Sequence, residues 1–141
     1  MNQLGNNKPT SDRAEAKMIN EQTWHRDIES QKRFVWTVTS DGIELDHCAG
    51  KPSYTIPWSV FNSVLSYARN QAHQNNNVVT AGTSMTNPTP GSIGAWVQIQ
   101  NFSILTGTLT SRHLSFLGPI CGRMGFISRQ LNGNSIQWVF I

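Results

Sequence analysis

The stretch Phe34-Val35-Trp36-Thr37-Val38-Thr39-Ser40-Asp41-Gly42-Ile43-Glu44-Leu45-Asp46 decides the fold class. Phe34, Trp36 and Val38 alternate with Val35, Thr37 and Thr39. After Ser40-Asp41-Gly42 the alternation resumes, with Ile43 and Leu45 against Glu44 and Asp46. Successive side chains of a strand point to opposite faces, so a period of two closed by Asp-Gly predicts an antiparallel hairpin with one apolar face.

Downstream, Pro57 suits the first position of a helix, where no backbone N–H is needed. Val60, Phe61, Val64, Leu65, Ala68 and Ala72 then recur at helical spacing, with Asn62, Ser66, Arg69 and His73 opposite and Asn75-Asn76-Asn77 as a stop. Val78 and Val79 begin a strand, and the prolines and glycine of 84–91 exclude regular structure there. Trp96 to Ile104 reads as a strand, but Val97 and Ile99 share one parity while Phe102 and Ile104 share the other, so a bulge near Asn101 is required. From Thr110 a helix is expected on Leu114, Leu117, Cys121 and Met124, either kinked or divided at Gly118-Pro119 and ended by Gly125. A last hairpin, 126–131 with 134–141, is expected to turn on Asn132-Gly133. In that register Ile127 faces Trp138 and Arg129 faces Ile136. Ile127, Arg129, Leu131, Ile136 and Trp138 then form an apolar side interrupted by one cation.

Upstream, residues 1–10 are polar and read as a disordered N-terminal arm, and Ser11 or Asp12 caps a short helix to about Thr23. The expectation is therefore a single α+β domain over 11–141. It holds an antiparallel sheet of about four to six strands, two main helices on one face, and a C-terminal β-hairpin.

Charge is distributed unevenly. All eight acidic residues lie in the first 46 positions, and the 95 residues from His47 onward carry only Lys51, Arg69, Arg112, Arg123 and Arg129. That stretch is +5 and the rest −2, within a total of +3. Carboxylates are the usual general acids and bases, hard-metal ligands and orienting partners of catalytic histidines. Their absence from two thirds of the chain favours binding over catalysis. Only 13% of residues are charged, and a charge-poor surface tolerates protein contact, so a symmetric homo-oligomer is expected. No signal-peptide pattern or membrane-length apolar run is present in the sequence, and a cytoplasmic location away from membranes is the expectation.

The candidate sites are few. Glu44 and Asp46 share one face of a strand, as a carboxylate pair for glycoside or metal chemistry would, although the solvated side of a hairpin accounts for them as well. An enzyme built on Glu44/Asp46 or on a histidine is the third reading. His47 and Cys48 are neighbours that face apart, Cys48 and Cys121 fit no spaced motif, and no metal or cofactor is expected. Gly91-Ser92-Ile93-Gly94 has the spacing of an RNA-binding glycine loop without its basic residues. The first reading is a non-catalytic module whose aromatic pocket or partner surface near the C-terminal hairpin uses Trp96, Arg129, Ile136 and Trp138 to hold a small molecule or a protein.

The segment Gly122-Arg123-Met124-Gly125-Phe126-Ile127-Ser128-Arg129, followed by a hairpin, resembles the end of a winged-helix domain, where a recognition helix feeds a basic wing. The resemblance covers about 30 residues and implies a nucleic-acid-binding regulator, with phosphate contacts from Arg112, Arg123 and Arg129. It departs from the family pattern in leaving room for barely one helix between Leu109 and Gly125.

Overall fold

The computed structural model describes residues 22–26, 33–46, 54–104, 107–133 and 135–141. The arm at 1–10 and residues 11–21 of the expected first helix lie outside these, as do His47 and Cys48. Gln22 and Thr23, placed in that helix by the sequence reading, instead open strand β1 (Gln22–Arg26).

Two compact units share the chain. One runs to Ser63 and includes Ser103–Gly107; the other takes Val64–Phe102 and Thr108–Ile141. The first unit is built on a four-stranded antiparallel meander: β1, β2 (Arg33–Val38), β3 (Gly42–Asp46) and β4 (Tyr54–Pro57), paired in that order. Trp36 pairs with Leu45 and Val38 with Ile43, which keeps the alternating apolar residues on one face. Phe34, Trp36, Val38, Ile43, Leu45 and Ile56 are all buried, whereas Glu44 and Asp46 are exposed.

The tip of this hairpin is fastened. The Thr39 hydroxyl accepts from the Asp41 and Gly42 N–H groups at 3.2 Å each, and the Trp58 indole N–H donates to the Thr39 carbonyl at 2.9 Å. A Cβ on Gly42 would overlap the Ile56 carbonyl, so only glycine lets β3 and β4 approach this closely.

Helix α1 (Trp58–His73) follows β4 directly, and the boundary between the units falls within it. Its expected stripe is buried in full, from Val60 and Phe61 through Val64, Leu65 and Ala68 to Ala72. Asn76 and Asn77 take left-handed φ values of 56° and 68°, and the Asn77 N–H reaches back to the Ala72 carbonyl at 2.7 Å. Asparagine tolerates that conformation better than other non-glycine residues, which is why the Asn run ends the helix.

The second unit holds a three-stranded sheet, ordered β5 (Val78–Thr80), β9 (Ser135–Phe140), β8 (Ile127–Asn132). A two-stranded piece joins β6 (Ser103–Ile104) to β7 (Gly107–Thr108). Among the described residues there are thus three separate sheets and three α-helices, not one sheet of four to six strands under two helices.

The additional helix is α2 (Ile93–Gln100), which occupies most of the expected 96–104 strand. Its cap explains the difference: the Ser92 side chain accepts from the Ala95 N–H, and the Gly94 N–H donates to the Ala81 carbonyl at 2.8 Å. Ile93 and Val97, four apart, are fully buried. The parity conflict at Asn101 marks a helix C-cap at φ 54°, not a bulge. The β-branched residues of this segment favour a strand, and tertiary packing overrides that preference.

A 3₁₀ turn (Ser111–His113) leads into α3 (Leu114–Arg123), which runs through Pro119 without dividing. Leu114, Leu117, Cys121 and Met124 are buried as expected. Gly125, at φ 89°, closes α3 in a Schellman arrangement: Phe126 N–H to Cys121 O at 3.0 Å and Gly125 N–H to Gly122 O at 3.1 Å. The final hairpin forms one register step away from expectation. Asn132 pairs with Ser135, so Arg129 faces Trp138, Leu131 faces Ile136 and Ile127 faces Phe140. The parity of the faces is unchanged.

Candidate functional site

In the second unit, α1 and α2 bring three aromatic rings together. Trp96 lies on α2, one residue before the buried Val97, so its indole leaves the helix at the margin of the packed face. Tyr67 sits beside the buried Ala68 of α1 and meets it there. The two rings stack with centroids 4.1 Å apart and planes within 3° of parallel. Phe102, just past the Asn101 cap, presents its ring to Trp96 edge-on, at 5.5 Å and 62°. Offset and edge-to-face contacts of this kind contribute about 0.5–1.5 kcal/mol beyond area burial. All three residues remain partly exposed. Ile99, on the next turn of α2, is 76% exposed, the most open large apolar side chain of any helix described.

The remaining candidates are dispersed. Trp138 is buried beneath α3, with Gly118 providing the room: a Cβ there would meet the Arg129 Cδ at 3.0 Å and the Trp138 Nε1 at 3.3 Å. Trp138 Nε1 has no hydrogen-bond partner among the described residues. Half-buried Arg129 lies near enough to Cys121 to favour its thiolate, yet burial dominates and pushes the thiol from 9.0 up to about 12. Such a thiol is an inert core group at neutral pH. Ile136 is half-buried opposite Leu131. Trp96 has Tyr67 and Phe102, not Trp138, as its ring partners.

The depression that touches the hairpin at Ile136 is small, about 130 Å³, and lined otherwise by Gly82 and the threonines and serines Thr80, Thr83, Ser84, Thr89 and Ser135. It differs from the aromatic pocket expected there, since pockets for drug-sized ligands run to about 300–1,000 Å³ and are mainly apolar.

Arg112 is exposed on the 3₁₀ turn and Arg123 on the last turn of α3. Gly94 proves to be a packing residue, whereas Gly91 is exposed, at φ 81°, with open space around it. A Cβ on Gly94 would overlap the Gly82 carbonyl and crowd Ser111, whose hydroxyl donates to the Ser84 carbonyl at 2.6 Å and accepts from the Gln98 amide at 3.0 Å. Gly91 lies just before the Ser92 cap. His113 is also structural: its Nδ1 accepts from the Thr110 N–H at 3.0 Å. His73 is exposed at the end of α1.

Among the described residues no three His, Cys, Asp or Glu side chains come together as metal ligands, and no helix is long and apolar enough to cross a membrane. Sequence reasoning singled out Trp96 and missed Tyr67 and Phe102. Tyr67 continues the Val60–Val64 side of α1 at i+3, which was the available signal. Phe102 had none, because its approach to Trp96 depends on the left-handed turn at Asn101.

No protein-family model matches the chain, and no curated protein or solved structure does.

Proposed function

We propose that this protein is a non-catalytic binding module that associates with a second copy of itself through the Tyr67–Trp96–Phe102 cluster and the adjoining Ile99. One observation carries the reading: a stacked aromatic pair stays partly open to solvent and is continued by an apolar side chain that is 76% exposed. Aromatic residues are enriched, and charged ones depleted, at the centre of protein interfaces. The second unit carries four arginines and no carboxylate, and its low charge density leaves an apolar contact between like copies only weakly opposed. Closed two-fold association is the commonest way for a chain to cover such a surface.

The test is sedimentation velocity over a wide concentration range, on the unmodified chain and on Ile99→Glu. Ile99 is outside the core, so Ile99→Glu is expected to keep the circular dichroism spectrum and lower self-association at least tenfold, a cost of about 1.4 kcal/mol. A chain that remains monomeric when concentrated refutes the reading. So does an oligomer indifferent to Ile99→Glu.

A further inference from the structure

We propose that Asn132–Gly133 is a self-modification site, where Asn132 converts spontaneously to aspartate and isoaspartate, while the fold shields Asp41–Gly42 from the equivalent reaction. The chemistry needs only the chain and water. The Gly133 backbone nitrogen attacks the Asn132 carboxamide carbon, forming a C–N bond as the bond to Nδ2 breaks. The departing NH₂ group leaves as ammonia, carrying the Gly133 amide proton. Water then opens the five-membered imide at either carbonyl, giving aspartate or isoaspartate.

Three conditions control the attack: an unoccupied nucleophilic nitrogen, no side chain shielding it, and local freedom for the Asn side chain to swing round. At 132–133 all three hold. Both residues are exposed, and the Gly133 N–H makes no hydrogen bond among the described residues. A Cβ placed on Gly133 would meet nothing within 4 Å, so the space around the nitrogen is open. Asn132 is the last residue of β8 and pairs only with Ser135, at the end of a ladder where opening is cheapest.

Asp41–Gly42 is the corresponding aspartyl pair, and there the glycine nitrogen is both engaged and buried. The Gly42 N–H is engaged by the Thr39 hydroxyl at 3.2 Å, and the Asp41 N–H is held by the same oxygen. Gly42 is buried against the Ile56 carbonyl, which closes the space around it. The product at 132 would matter to its surroundings. It places a carboxylate in a stretch of 95 residues that has none, and isoaspartate adds a methylene to the backbone next to a register that pairs six residues.

The full chain is incubated at mildly alkaline pH, folded and in concentrated urea, and isoaspartate is quantified by peptide mapping with enzymatic methyl labelling. The readout is the ratio of folded to unfolded conversion rate at each site, which cancels the intrinsic difference between Asn and Asp. A ratio within a few-fold of unity at 132 and far below unity at 41 is expected. Asn132→Gln, which must close a larger ring, should reduce label at residue 132, located by fragmentation apart from Asn134, to background. A ratio at 132 as low as that at 41, or label at residue 132 surviving Asn132→Gln, overturns the proposal.

Discussion

The hairpin of β2 and β3 and the hairpin of β8 and β9 start from the same sequence device, an alternating run closed by Asp-Gly or Asn-Gly, and are secured in different ways. In the first, every inward residue is buried up to the tip, where Thr39, Trp58 and the Ile56 carbonyl fix the turn. In the second, burial fades along the strands. Ile127, Trp138 and Phe140 are buried at the base, Arg129 and Ile136 are half-buried, and Leu131 at the tip is 73% exposed. The difference separates two things that the alternation alone leaves joined. Period two sets which side chains share a face; what fixes the register is the contact made by those side chains. Where the tip has its own anchors, the turn centres on Ser40–Asp41, within the expected Ser40–Gly42 stretch. Where the anchors sit at the base, around Trp138 and Gly118, the turn shifts by one residue to suit them.

The largest effect that would break this contrast is on core burial. Trp36→Ala removes a fully buried indole and should cost about 3–5 kcal/mol, a large part of the roughly 5–15 kcal/mol that holds a domain folded. Leu131→Ser, on the same kind of inward position in the other hairpin, should change stability by less than about 0.5 kcal/mol because its side chain is already in water. Urea denaturation of the two variants measures both. Comparable losses would show that the second tip is held as firmly as the first.

How far the sequence revealed the fold follows the same division. The β2–β3 hairpin, the buried stripe of α1, the stop at Asn76–Asn77 and the Gly125 cap were all legible, because each is a local pattern repeated over several residues. Helix α2 was not. Ile93, Val97 and Ile99 carry strand propensity, and the helix depends on Ser92 and on the fit of Gly94 to the Gly82 carbonyl, which is a tertiary contact. The separation into three sheets was hidden for a related reason: strand order is set by pairings between distant segments, such as Trp138 with Val79. The candidate site was legible only through Trp96. Stacking on Tyr67 joins residues 29 positions apart, beyond the reach of any periodicity.

An intermediate effect should appear in alkaline solution. Burial raises the Cys121 thiol to about 12 in the folded chain against an ordinary 9.0, and Arg129 offsets that only in part. In the folded state the thiol keeps its proton up to about pH 12, whereas the unfolded chain gives it up near 9. The folded state then binds more protons across that window, so stability falls as pH rises through it and is unaffected below. Cys121→Ala should remove this part of the decline, and Arg129→Met should push the folded thiol higher still. Urea midpoints at neutral pH and near pH 10 give the comparison; an unchanged slope in Cys121→Ala would mean the thiol is not what titrates.

The smallest effect is the sharpest, because it asks whether one hydroxyl makes the two tips different. Thr39→Val keeps the shape of the side chain and removes the acceptor for the Asp41 and Gly42 N–H groups. Each such bond is worth about 0.5–1.5 kcal/mol net, and the half-buried site lets water take over some of that, so a loss near 1 kcal/mol is expected. The stability change alone says little. The informative quantity is isoaspartate formation at Asp41, which should rise toward the unfolded rate once the Gly42 nitrogen is released, while conversion at Asn132 stays where it was. If Asp41 remains protected in Thr39→Val, the shield is the buried backbone of Gly42 against Ile56 and not its hydrogen bond. The two hairpins would then differ because strand β4 lies over one tip, with the Thr39 hydroxyl reduced to a minor brace.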